Sequence, residues 1–103
     1  MNDIKKDYMI QIRVSFFSVI SDITNKDEIM LFANERSTIN DAIKRIILVF
    51  GRKFEKLILK NPNEINDYII IAKNGKDVRS LNNLKTLLQD GDELSFLPAI
   101  AGG

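Results

Sequence analysis

The chain has 103 residues, 45% hydrophobic and 28% charged, the size and composition of a single soluble domain. Fifteen basic residues against fourteen acidic ones leave a formal net charge of +1, without the positive excess of a dedicated nucleic-acid binder. Cysteine and histidine are both absent, which excludes a disulfide framework, a thiolate nucleophile, a Cys/His zinc site and a histidine base.

Residues 1–8 are polar and mixed in charge, with no apolar segment of the signal-peptide kind behind them, and read as a flexible extension. No uninterrupted apolar run approaches the roughly 20 residues of a membrane helix. A cytoplasmic location is therefore expected, with neither membrane nor nucleic acid as partner.

From Met9 the pattern alternates strictly. Ile10, Ile12, Val14 and Phe16 point one way, and Gln11, Arg13, Ser15 and Phe17 the other, as in a half-buried strand. A second strand follows at about Asp27 to Ala33, with Ile29, Leu31 and Ala33 on one face; Asp22 to Lys26 reads as the connection. Ser37 or Thr38 can cap a helix, and Thr38-Ile-Asn-Asp41 resembles a capping box. Ile39, Ala42, Ile43, Ile46, Ile47 and Phe50 then recur at helical spacing, leaving Asn40, Lys44 and Arg45 for solvent, and Gly51 ends the run. Phe54, Leu57 and Ile58 continue the spacing into a short second helix.

Asn61-Pro-Asn63 breaks the pattern. Tyr68 to Ala72 is β-branched and bounded by turn residues, a buried strand, and Asn74-Gly75 predicts a hairpin into a brief return strand at Lys76 to Val78. Leu81, Leu84, Leu87 and Leu88 suggest a turn or two of helix, Asp90-Gly91-Asp92 a tight turn, and Glu93 to Leu97 a last strand. One principal helix can cover only one face of such a sheet, so the fold class is α+β in two layers with one face partly open.

The acidic cluster Asp90, Asp92 and Glu93 lacks the spaced ligands of a calcium loop and runs straight into a strand, so it reads as turn chemistry. No glycine-rich phosphate loop is present. No cofactor and no metal are expected, and no catalytic residue of its own.

The end of the sequence is different in kind. Leu94-Ser-Phe-Leu-Pro-Ala-Ile-Ala-Gly-Gly103 carries no charged side chain and finishes on two of only five glycines. Without a Cβ, two glycines make the thinnest and most flexible peptide available, one that can thread a narrow channel. Pro98 would stop the last strand and stiffen the chain as it leaves the sheet. The organisation read from the residues is thus an extension at 1–8, a folded body at 9–97 and a flexible tail at 98–103.

The segment Asp90-Gly-Asp-Glu-Leu-Ser-Phe-Leu-Pro-Ala-Ile-Ala-Gly-Gly103 resembles the C-terminal signature of the MoaD/ThiS family of ubiquitin-like sulfur carriers. The strand Ile12-Arg-Val-Ser-Phe-Phe17 is similar to the family's opening strand, and Tyr68 to Gly75 to its middle strand and hairpin. The long stretch from Arg52 to Asp67 suits the archaeal branch that includes the small archaeal modifier proteins. Family tails commonly carry Phe-Pro-Pro, where this chain has Leu97-Pro98-Ala99.

The resemblance implies a β-grasp fold, with a mixed sheet and one main helix packed on one face. It implies that an E1-like enzyme of the MoeB/ThiF type adenylates the carboxylate of Gly103, with Gly102, Ala101, Ile100 and Pro98 forming the threading tail. The carboxylate then becomes a thiocarboxylate, and sulfur is donated for molybdopterin with a MoaE-type large subunit as partner. Alternatively, sulfur goes to tRNA thiolation, or the glycine is joined to target-protein lysines. Strand parity places Phe17 and Leu97 on the open sheet face, where the resemblance implies partner docking. A non-covalent β-grasp interaction module, its tail incidental, is the reading from a different class.

Overall fold

The computed structural model describes residues 9–99; the expectations for residues 1–8 and for Ile100, Ala101, Gly102 and Gly103 lie outside the described residues. Its elements in chain order are β1 (Met9–Phe16), α1 (Val19–Thr24), β2 (Glu28–Asn34), α2 (Ile39–Phe50), α3 (Arg52–Ile58), β3 (Leu59–Asn61), β4 (Glu64–Ile65), β5 (Ile69–Lys73), β6 (Lys76–Asp77) and β7 (Glu93–Pro98). Short 3₁₀ turns occupy Val78–Ser80 and Asn83–Lys85.

The principal sheet runs β2-β1-β7-β5-β6. Its two central strands, β1 and β7, are parallel, with Val14 beside Leu94 and Phe16 beside Phe96. The other pairings are antiparallel. This mixed sheet, with α2 across one face, is the β-grasp arrangement.

Alternation along the strands produces the burial. Ile10, Ile12, Val14 and Phe16 of β1, Ile69 and Ile71 of β5, and Leu94 and Phe96 of β7 are buried on the helix side. They meet Ile39, Ala42, Ile43 and Ile46 from α2 and Phe54 and Ile58 from α3. At one end of this core Phe16, Phe50, Phe54 and Phe96 form an aromatic cluster, the Phe54 and Phe96 rings 5.6 Å apart and edge-to-face. Each fully buried ring contributes about 1.5–3 kcal/mol of apolar burial.

Thr38 caps α2: its Oγ1 accepts from the Asp41 N–H at 3.2 Å, and the Asp41 carboxylate accepts from the Thr38 N–H at 2.9 Å. Gly51, at φ 84°, makes the break between α2 and α3 in a backbone region that side chains disfavour. On the solvent side of α2, Leu48 is 86% exposed.

Several expectations are corrected. The connection expected at Asp22 to Lys26 begins with the helix α1, because Ile20 and Thr24 lie one turn apart and are buried. Six residues are too few for a periodicity to show. Asn61-Pro-Asn63 is the turn of a small hairpin rather than a mere break. There the hydrogen bond from Asn61, with the Lys60 charge nearby, holds the Glu64 carboxyl below its ordinary value, and the Asp67 carboxylate that accepts from Lys60 holds that ammonium above its own. The return strand ends at Asp77, since buried Val78 already opens a 3₁₀ turn. The leucines from 81 to 88 bring a second such turn and no α-helix, with Leu84 and Leu88 buried and Leu81 and Leu87 exposed. Finally, β5 starts at Ile69, and Tyr68 is 72% exposed.

Candidate functional site: the open sheet face at the tail exit

The end of β7 is built by hydrogen-bond parity. Its odd-numbered residues bond to the β5 side: Asn74 N–H donates to the Glu93 carbonyl at 2.8 Å, and Ala99 N–H to the Tyr68 carbonyl at 2.8 Å. Its even-numbered residues face β1, where Arg13 N–H donates to the Asp92 carbonyl and Phe17 N–H to the Phe96 carbonyl, both at 3.0 Å. Pro98 falls on the β1 side, one step past the last bond from that neighbour, because β1 has ended at Phe16 and the chain has turned away at Ser18 (φ 56°). A residue without an N–H therefore sits where the sheet requires none. Pro98 is the last strand residue, opposite Ile69, and Ala99 is still tied to Tyr68. The tail thus leaves a rigid strand.

The same parity sorts the side chains. Leu94 and Phe96 point into the core, and Ser95 and Leu97 onto the open face, where both are half-buried. Leu97 is directly opposite half-buried Ile70 of β5. Phe17, 50% exposed, stands where β1 ends. Tyr68 and Ala99 complete an apolar group at the tail's point of departure. The two residues expected on this surface, Phe17 and Leu97, are thus at the same end of the sheet, and the structure adds Ile70 and Tyr68. Five consecutive apolar residues hide which face each occupies, so Tyr68 to Ala72 read as buried throughout; parity counted from Ile69 and Ile71 would have separated them.

Tyr68 is held in place by its neighbours. Its N–H donates to the Asn66 side chain at 3.1 Å, and Arg79 donates to the carbonyls of Ile69 and Asn66 at 2.8 and 2.9 Å. Further from the exit the open face becomes charged, with Arg13 lying 3.7 Å from Glu28 and 3.8 Å from Glu93. Pairs this exposed are worth at most about 1 kcal/mol, so they mark polarity more than stability.

The acidic turn is structural. Asp90 accepts from the Gln11 N–H at 2.8 Å, and buried Asp92 accepts from the Gln89 N–H at 2.7 Å and the Asn74 side chain at 2.9 Å. Each of these two carboxylates is engaged by donors of the protein itself. Among the described residues no group of three or more acidic side chains is placed to hold a metal ion. No helix among them is long and apolar enough to cross a membrane.

Comparison with known proteins agrees with this geometry. The model of the ThiS family matches residues 14–103. A candidate sulfur carrier protein of Archaeoglobus fulgidus is 39% identical over 69 residues, covering 67% of this chain and 77% of the relative. Small archaeal modifier protein 3 of Haloferax volcanii is 24% identical over 94 residues, 91% of this chain and all of the relative. Among solved structures, small archaeal modifier protein 1 of Methanosarcina acetivorans superimposes with a TM-score of 0.77 at 25% identity, over 92% of this chain and 98% of that one. The family match spans most of the chain and includes the strand that carries the tail, and on it the chain belongs to the ThiS family of ubiquitin-like sulfur carriers.

Proposed function

We propose that this protein is a carrier whose reactive group is the carboxylate of Gly103, activated by an E1-like enzyme of the MoeB/ThiF type. The observation that carries this reading is the geometry of the tail's departure. An uncharged segment ending in Gly102-Gly103 follows a strand fixed on both sides of the sheet, beside an exposed apolar group.

The chemistry explains why a protein without cysteine or histidine suffices. A carboxylate is a poor electrophile. Attack of its oxygen on the α-phosphorus of ATP expels pyrophosphate and leaves an acyl-adenylate, from which AMP departs readily. Sulfide supplied by the partner system then attacks the acyl carbon, forming the C–S bond as the bond to AMP breaks, which gives the thiocarboxylate. The partner provides nucleotide, magnesium and sulfur. This chain provides a slender approach through Pro98, Ile100, Ala101 and Gly102, and a docking surface at Phe17 and Leu97 that holds the reacting atoms in position.

The sulfur is donated for molybdopterin, with this chain as the small subunit beside a MoaE-type large subunit. The full-length match to a small archaeal modifier favours a second fate, in which a lysine amine attacks the same activated glycine, or sulfur passes to tRNA. The shared first step is tested by ATP–pyrophosphate exchange with the cognate E1-like enzyme. Exchange is expected with the intact chain and lost on deletion of Gly103, with the thermal midpoint unchanged. Undiminished exchange by the deletion variant would overturn the proposal.

A further inference from the structure

The turn between β5 and β6 is made by two residues, Asn74 and Gly75, at φ 51° and 82°. A two-residue hairpin favours this pair because asparagine and glycine tolerate the left-handed backbone region. The same pair is the most open to cyclisation, since no side chain on Gly75 shields its nitrogen from the Asn74 amide carbon. Asn74 is the only asparagine of the chain that glycine follows.

In the folded protein that amide is engaged elsewhere. The Asn74 backbone N–H donates to the Glu93 carbonyl at 2.8 Å, and its side chain reaches the start of β7 with both polar atoms. Its Oδ1 accepts from the Glu93 N–H at 2.8 Å, and its Nδ2 donates to Asp92 Oδ1 at 2.9 Å. The Glu93 N–H can only donate, which fixes the atom of the amide that faces it. Asp92 is buried and held in turn: its Oδ2 accepts from the Gln89 N–H at 2.7 Å and lies 3.8 Å from Lys73 Nζ.

We propose that Asn74 is a latched deamidation site, closed while Asp92 and Glu93 hold its amide and reactive once that hold opens. The Gly75 nitrogen attacks the Asn74 amide carbon, the new C–N bond forming as the bond to Nδ2 breaks. The Gly75 proton leaves with the amide nitrogen as ammonia. Water then opens the succinimide ring at either carbonyl, to give aspartate or isoaspartate at position 74. The attack requires the amide carbon to turn toward Gly75, and the two bonds to the start of β7 oppose that turn.

The product does not close the latch again. Aspartate at position 74 puts a carboxylate oxygen against Asp92 where an N–H donor stood, two like charges beside a buried group. Isoaspartate adds a carbon to the main chain of a loop of two residues, between paired Lys73 and Lys76. The chain thus keeps a permanent record of having opened, at the end of β7 opposite to Pro98 and the tail.

The test is incubation of the full chain in mildly alkaline buffer, native and in urea, with conversion at Asn74 followed by peptide mapping. Conversion in urea is expected to be at least about tenfold faster than in the native chain, a ratio set by the free energy of opening. Asp92→Ala releases Nδ2 and should bring the folded chain's rate most of the way to the rate in urea. Asp90→Ala removes a carboxylate of the same turn that bonds Gln11 and not Asn74, and should leave the native rate unchanged. Asn74→Asp should lower the thermal midpoint by about 5 °C or more. Equal rates for the native and urea-unfolded wild-type chain would overturn the latch, whether or not the Asp92 variant folds. Equal acceleration by the two alanine variants, or a wild-type midpoint for Asn74→Asp, would overturn it as well.

Discussion

The two faces of β7 carry different burdens although they alternate residue by residue. Leu94 and Phe96 are fully buried against α2, α3 and β1, and belong to the reason the domain folds. Ser95 and Leu97, one position away, face the open side, and Leu97 lies with Ile70 at the point where the tail departs. A single strand thus joins the core to the surface proposed to meet the partner. The division teaches that stability and carrier chemistry can be disturbed separately, even between adjacent residues.

Phe96→Ala should give the largest effect. Removal of a ring packed among Phe16 and Phe54 is expected to cost about 3–5 kcal/mol, read as a fall in the denaturation midpoint. A loss below about 1 kcal/mol would mean that the aromatic cluster repacks, and would blur the distinction between the faces. An intermediate effect is expected at the other end of the strand. Asp92→Ala leaves the Gln89 N–H and the Asn74 side chain without their acceptor and should cost about 1–3 kcal/mol. The smallest change in stability belongs to Leu97→Asp, although its binding to the E1-like enzyme should fall sharply. A stability loss like that of Phe96→Ala would place Leu97 with the core and end the comparison.

The same contrast explains what was legible in the sequence. Where polar and apolar residues alternate, as from Ile10 to Phe16, the strand and its buried face follow directly from period two. The α2 helix is equally plain, because the Thr38–Asp41 box and an apolar stripe agree. The segments that resisted are those in which one type of residue fills both faces or the element is too short to show a period. The run from Tyr68 to Ala72 conceals the outward Tyr68 and Ile70, and α1 has only two buried side chains to betray it. The hairpin of β3 and β4 is shorter still, its turn at Asn61-Pro-Asn63 resembling any other chain break. On the candidate site, Phe17 and Leu97 were accessible to strand parity. Their grouping at one end of the sheet, with Ile70 opposite Leu97, was not, because it depends on β5 and β1 flanking β7, a non-local arrangement.

The placement of Pro98 shows the limit from the other side. A proline near the end of a strand predicts termination there, and the strand does end at Pro98, although Ala99 still bonds to Tyr68. The missing donor costs nothing, since its side of the strand has already lost its neighbour. The backbone is thereby held through Ala99, one residue beyond the end of the strand.

The central claim is that the folded body is a platform and that the chemistry resides on the carboxylate of Gly103. Intact-mass measurement of the chain recovered from its native host tests this most directly. The account predicts a species in which one oxygen is replaced by sulfur at the C-terminus, or lysine adducts that leave a Gly-Gly remnant after digestion. Recovery of the unmodified chain alone, with neither species present under conditions where the pathway is active, would contradict it.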